Sequence, residues 1–172
     1  IYSILALLNS KVGTYYLSIL SPTMNFLPGH INNVPINYEK LKNNKKCSEL
    51  SMENVEIEKN DWDAFETSWE FKMHPLISKV DTIEEAFNKW KIERDEYFNK
   101  VKDNEEELND ILINIYNLQK ELTSKVDDRY ITVRKADLSR DIRSLVSYVV
   151  GCMFGRYSLD EEGLVSAGNE WD

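Results

Sequence analysis

Apolar residues recur at three- and four-residue spacing in four tracts, a period that predicts a mainly α chain. In the first tract Ile4, Leu5, Leu8, Val12, Tyr15, Tyr16, Ile19 and Leu20 make one wide stripe and read as a single helix. Ser21-Pro22 ends it, because a proline pushes the residue before it out of the helical region. Residues 23–36, punctuated by Pro28, Gly29 and Pro35, read as short extended pieces with a turn at Pro28-Gly29. Residues 37–60 are rich in Lys, Asn and Glu with sparse apolar positions at Leu41, Leu50, Val55 and Ile57, which predicts a polar, partly helical linker. Asn60 is expected to cap a short amphipathic turn carrying Trp62, Phe65 and Trp69, and His74-Pro75 to break the chain again.

Thr82-Ile-Glu-Glu85 has the form of a capping box. After it Ile83, Phe87, Trp90, Arg94, Tyr97 and Val101 continue at helical spacing, and a second stripe runs through Leu108, Ile111, Leu112, Ile115 and Leu118. The acidic run from Asp103 to Glu107 between them is either the start of a new helix or the solvated face of one long helix. A last helix is expected from about Ala136, burying Leu138, Ile142, Leu145, Val149 and Met153 and ending at Gly155. The tail beyond it is polar apart from Leu159, Leu164, Val165 and Trp171, and Tyr130-Ile-Thr-Val133 reads as a short strand. The fold expected is a helical bundle or long helical hairpin with a few short extended segments near residues 23–36 and 130–133.

Composition changes this picture little. The 172 residues begin at Ile1 and read as an excised piece of a longer polypeptide, 42% hydrophobic, with enough bulky side chains for a packed core. No stretch is long enough to span a bilayer, and Cys47 and Cys152 belong to no C-x-x-C pair, so reduced thiols and a cytoplasmic protein without membrane contact are expected. Charge matters more. The net −9 is uneven: residues 1–50 carry five lysines against two glutamates, a net +3, leaving −12 for the remainder. A polyanion should therefore meet the N-terminal third, unless the lysines merely solubilise a linker beside an acidic bundle.

No catalytic or metal-ligating pattern emerges. His30 and His74 stand alone, and the six glycines form neither G-x-G-x-x-G nor a phosphate-binding loop. Asp61, Asp63, Glu70 and Lys72 loosely resemble the D…E-x-K signature of metal-dependent nucleases. With Trp62, Phe65 and Trp69 at helical spacing, however, a helix would set Asp61 and Lys72 roughly 16 Å apart. The aromatic positions Trp62, Trp69, Trp90 and Tyr97 fall on apolar stripes and are expected in the core.

Likeness to known proteins says more. Leu7-Leu-Asn-Ser-Lys-Val12, Ser21-Pro-Thr-Met-Asn-Phe26 and Ile31-Asn-Asn-Val-Pro-Ile36 resemble the end of a target-recognition domain in DNA methyltransferases. Glu106 to Gln119 resembles an N-E-x-I-Y-G-L helix of fused restriction-modification enzymes, with Asn117 standing where those have glycine. Trp62 to Trp69, Val133 to Asp137 and Ser147 to Leu164 resemble the adenine-specific methyltransferases of BREX and phage-growth-limitation systems. The resemblance implies a parent enzyme that transfers a methyl group from S-adenosylmethionine to adenine N6 of a base flipped out of the duplex. This chain carries neither an N-P-P-Y-type motif nor a cofactor motif, so the catalytic domain is expected upstream, and no cofactor is expected within the chain itself.

The resulting expectation is a non-catalytic C-terminal fragment: residues 1–36 complete a target-recognition module, 37–60 are a linker and 61–172 form a helical support. Asn9, Ser10, Lys11, Lys42, Lys45 and Lys46 are the candidate contacts to double-stranded DNA, with the upstream methyltransferase domain and other phage-defence proteins as further partners. The rivals are a protein-interaction scaffold without DNA contact and part of a type I specificity subunit.

Overall fold

In a computed structural model, residues 1–21, 23, 25–77 and 80–165 are described; Trp171 and the 22 and 24 positions of the proline-containing segment lie outside them. Among the described residues the protein is mainly helical, with no strand. The helices are α1 (Tyr2–Asn9), α2 (Lys11–Leu20), α3 (Pro28–Asn32), α4 (Tyr38–Asn43), α5 (Lys45–Asp63), α6 (Ile83–Tyr116) and α7 (Leu138–Met153), with a 3₁₀ turn at Asp128–Tyr130. They form two compact units interleaved in sequence. Unit 1 takes residues 1–56 and 100–131, and unit 2 takes residues 57–99 and 132–172.

The first apolar stripe is two helices, not one. Ser10 is extended, its hydroxyl accepts from Gly13 N at 3.2 Å and donates to Leu7 O at 2.7 Å, and so it caps α2. The break is tight enough to need glycine: a Cβ at Gly13 would lie 2.3 Å from the Leu7 carbonyl oxygen. Residues 28–32, expected as a turn between extended pieces, are the short helix α3 with Pro28 in its first turn. Residues 37–60 are helical almost throughout. The buried face of α5 runs through Cys47, Leu50, Ser51, Ile57 and Asp61, a helical spacing that small and charged residues disguise. Asn60 therefore lies inside α5 and does not start a new turn.

Unit 1 closes on an aliphatic core. Leu7, Val12 and Leu112 are fully buried, packed with Leu41, Leu50 and Leu108. The acidic run of α6 passes through this unit without a break, which settles the choice in favour of one long helix. Asn104, buried within that run, donates to Glu53 Oε2 at 2.9 Å and Asn54 Oδ1 at 2.8 Å, binding α6 to α5. Asn117 ends α6 in the left-handed region at φ +57°, with Leu118 N bonded to Ile113 O. Asparagine thus performs the glycine-like turn. Tyr116 then reaches the incoming chain, donating to Pro35 O at 2.8 Å and accepting from Asn37 N at 3.1 Å.

Unit 2 is built on aromatic and charged groups. Leu76, Ala86, Trp90 and Leu145 form one cluster; Phe71, Tyr148 and Tyr157 form another. Thr82 Oγ1 accepts from Glu85 N at 3.2 Å and caps α6 as its sequence predicts. The predicted face of α7 is rotated. Asp141, Leu145 and Tyr148 point inward, whereas Leu138, Val149 and Met153 are 57%, 43% and 79% exposed. Gly155, at φ +72°, closes that helix with Arg156 N on Gly151 O. The expected strand at 130–133 is a 3₁₀ turn followed by irregular chain, with Ile131 and Val133 buried in alternation. An alternating pattern specifies a strand only when a neighbouring strand is there to pair with it.

Candidate nucleic-acid interface

The six predicted contact residues lie at two helix junctions of unit 1. At the α1–α2 junction Asn9 is exposed, but Ser10 is 5% exposed and both of its hydrogen bonds are internal. Lys11 is held from both ends: its amide donates to Asn109 Oδ1 at 2.9 Å and its ammonium to the Lys125 carbonyl. At this junction, then, only Asn9 presents an uncommitted polar surface.

The α4–α5 junction is different in kind. Asn37 caps α4 by accepting from Lys40 N, and Asn44 caps α5 by accepting from Cys47 N at 3.2 Å. These caps turn the chain sharply, so Lys42, Lys45 and Lys46 all stand exposed within five residues of one another. Lys45 and Lys46 line a shallow groove with Glu39, Lys40, Asn43, Asn44 and Ile115. Their existing engagements are weak. Lys46 faces the half-exposed Glu107 at 3.6 Å, and Lys42 lies 5.7 Å over the Tyr38 ring. Exposed ion pairs of this sort contribute about 0–1 kcal/mol, so a stronger anion can displace them. Lys45 and Lys46 also occupy the first turn of α5, the positive end of its dipole, where cations are unfavourable unless an anion sits nearby.

The nuclease-like constellation in unit 2 resolves otherwise than by helix length. Because α5 ends at Asp63 and the chain turns, Asp63, Glu70 and Lys72 line one cleft of about 590 Å³. They do not assemble a metal site: no group of three or more His, Cys, Asp or Glu with metal-holding geometry occurs among the described residues. Asp61 is bonded to Arg94 at 3.1 Å, Asp63 accepts from Ser68 Oγ at 2.5 Å, and Lys72 pairs with Glu162 at 2.9 Å.

The polar cluster that sequence reasoning missed is the centre of unit 2. Arg94 is 2% exposed, its guanidinium lies 4.1 Å from the Trp90 ring and 4.6 Å from the Tyr97 ring, and its Nε has no partner. Trp90 Nε1 donates to Asp141 Oδ2 at 3.1 Å, and the same oxygen accepts from Asp137 N at 3.0 Å. His74 is buried beside this cluster, and burial pushes its imidazole down to about 4. The signal was present in the chain: Arg94 fell on an otherwise apolar stripe. Trp62 and Trp69, expected inside, are 51% and 100% exposed. Burial raises the Cys47 thiol to about 11, which makes it inert. No helix among the described residues is long and apolar enough to cross a membrane.

No protein-family model matches the chain. Over 174 residues it is 41% identical to the adenine-specific methyltransferase PglX of Lacticaseibacillus casei (strain Zhang), covering 98% of this chain and 14% of that protein. Over 185 residues it is 34% identical to the adenine-specific methyltransferase BrxX of Escherichia coli O9:H4 (strain HS), covering 97% of this chain and 15% of that one. The chain therefore spans about one-seventh of the length of these curated relatives. The family that this chain matches, along nearly its whole length, is that of the PglX and BrxX adenine-specific methyltransferases.

Proposed function

We propose that this chain is a non-catalytic, C-terminal helical segment of an S-adenosylmethionine-dependent N6-adenine DNA methyltransferase of the BREX type, and that its unit 1 meets the duplex backbone through Lys42, Lys45 and Lys46. The observation that carries the contact is the α4–α5 junction, where three exposed lysines crowd a helix N-terminus and hold only weak partners. Charge supports the same unit. Unit 1 has ten cations against twelve carboxylates, a net −2, whereas unit 2 carries −7. Asn9 is a secondary candidate; Ser10 and Lys11 serve the α1–α2 junction instead. Phosphate contacts fix register without reading bases, so this segment contributes positioning to target recognition, and sequence is read elsewhere in the parent protein. Methyl transfer belongs to the upstream domain, and the work is done on cytoplasmic DNA in phage defence.

The test is the salt dependence of duplex binding by the full methyltransferase containing this segment. Each phosphate contact adds about 0.9 to the slope of log K against log salt, so K42E/K45E/K46E should lower the slope by roughly 2–3 and weaken binding to all sequences alike. An unchanged slope overturns the contact and favours a scaffold that never touches DNA. A loss confined to one sequence overturns the positioning role.

A further inference from the structure

The buried guanidinium of Arg94 is hydrogen-bonded incompletely along one edge. Asp61 accepts from Nη1 at 3.1 Å and balances one charge. The edge that pairs Nε with Nη2 is the one that a planar, two-oxygen acceptor fits. There Glu93 accepts from Nη2 alone, at 3.2 Å, and Nε has no partner. The cause is local: residues adjacent on a helix do not face each other, so the neighbouring carboxylate reaches one donor of the fork and not both. A buried donor without an acceptor is penalised, and the fork is therefore only half used.

Arg94 and Glu93 both line the cleft of about 590 Å³. That cleft lies wholly within unit 2, between the last turn of α5, residues 70–75 and the first half of α6. Four cations line it, Lys59, Lys72, Lys89 and Arg94, against the three carboxylates Asp63, Glu70 and Glu93, on a unit that carries −7 overall. Lys59 and Lys72 already face Asp63 and Glu162. Lys89 is exposed and, among the described residues, holds no carboxylate partner. Met73, Pro75, Ala86 and Trp90 supply an apolar wall.

We propose that this cleft binds a small organic oxyanion, a carboxylate or a phosphate monoester with a compact apolar body, whose two oxygens take the Nε–Nη2 edge of Arg94 in place of Glu93. Exchanging one carboxylate for another keeps Arg94 balanced, so no uncompensated charge is buried. Lys89 meets the second charge of a phosphate. Glu93, 46% exposed, turns out to solvent and gives up only a weak pair, which opens the edge to the cleft. The apolar body lies against Met73, Pro75 and Trp90, and the volume is of the size that small-molecule sites take.

The test titrates benzoate, phenyl phosphate and inorganic phosphate into the full methyltransferase containing this segment, at constant ionic strength and without DNA. Hydrogen exchange is read on peptides from residues 57–75 and 86–99. The site predicts saturable protection of both segments by benzoate, by phenyl phosphate or by both, with an apparent Kd of about 1 mM or tighter. The probe that protects assigns the head group as carboxylate or phosphate. No saturable protection by any probe overturns the site, and inorganic phosphate binding as tightly as either aromatic probe overturns the role of the apolar wall. Because Arg94→Ala threatens the fold, the deciding variants lie on the rim. Glu93→Ala should tighten binding at least ~3-fold, since it removes the internal competitor. Lys89→Glu should weaken it at least ~3-fold. An affinity that Glu93→Ala leaves unchanged or weakens overturns the exchange at Arg94.

Discussion

Unit 1 closes on Leu7, Val12, Leu41, Leu108 and Leu112, and its buried polar groups are uncharged: Ser10, Ser21, Ser51, Asn104 and Asn109. Unit 2 places a guanidinium, two carboxylates, an imidazole and a tyrosine hydroxyl among its aromatic rings. An aliphatic core is non-directional and tolerates conservative exchange of one hydrocarbon for another. A core of charges and rings is stable only while every member keeps its partner, because a lone buried charge is penalised heavily. The contrast teaches that two units made of the same kind of helix fail for different reasons. Cavities should dominate in unit 1 and broken networks in unit 2.

The largest effect is expected where that network is cut. Asp61→Ala leaves Arg94 buried against two rings with only the half-exposed Glu93 to balance it, and should cost about 3–5 kcal/mol. Urea unfolding followed by tryptophan fluorescence reads this selectively, since the three described tryptophans, Trp62, Trp69 and Trp90, lie in unit 2 and the unit 1 sequence has none. Replacing both members, as Asp61→Leu with Arg94→Met, should cost less than the single change, because no charge is then left behind. A double variant less stable than Asp61→Ala would show that the pair is more than a self-satisfied network.

Acid should separate the units next. Burial holds His74 neutral, with its pKa lowered from 6.5 to about 4, against a weaker pull the other way from Asp141 and Glu66. The unfolded chain takes up the proton first as pH falls, so His74 contributes full stability above about 6.5 and loses it progressively toward 4. The loss amounts to about 3 kcal/mol across that window. His74→Gln should flatten the pH dependence of the tryptophan-detected urea midpoint between 6.5 and 4.5, and equal slopes for both proteins would remove His74 from the account. Unit 1 has no buried histidine among its described residues and should not share this step.

These differences were only partly legible in the chain. The start and helical character of α6 were, because its cap at Thr82 and its apolar period are both local features. Its unbroken length was not, because the acidic run fits a helix start as well as a solvated face. The ends at Asn117 and Gly155 were legible as local features too. The start of α5 was not, because its inward face carries Ser51 and Asp61, which a hydrophobic period cannot count. The break at Ser10 was masked by apolar residues on either side, though Ser10 with Gly13 is itself a cap signal. The rotation of α7 was hidden because the helix is apolar over more than half of its circumference, and periodicity alone cannot say which part of that arc a neighbour covers. For the candidate contacts, sequence supplied the charge and structure supplied the commitments: Ser10 and Lys11 are used internally, whereas Lys42, Lys45 and Lys46 remain exposed.

The smallest effect sharpens the comparison from the side of unit 1. Asn117 holds a left-handed conformation at the end of α6, where the Leu118 amide reaches back to the Ile113 carbonyl at 3.0 Å. Asparagine tolerates this conformation better than any residue with a plain Cβ, and glycine adopts it without strain. Asn117→Ala should therefore cost about 1 kcal/mol, and Asn117→Gly should change stability by no more than a few tenths of that. Unit 1 contains no tryptophan, so the readout is amide exchange at Asn117 and Leu118. The alanine variant should exchange faster there while the tryptophan-detected midpoint of unit 2 holds. The reverse pattern, with alanine tolerated and glycine harmful, would mean that the asparagine side chain and not its backbone angle closes the helix.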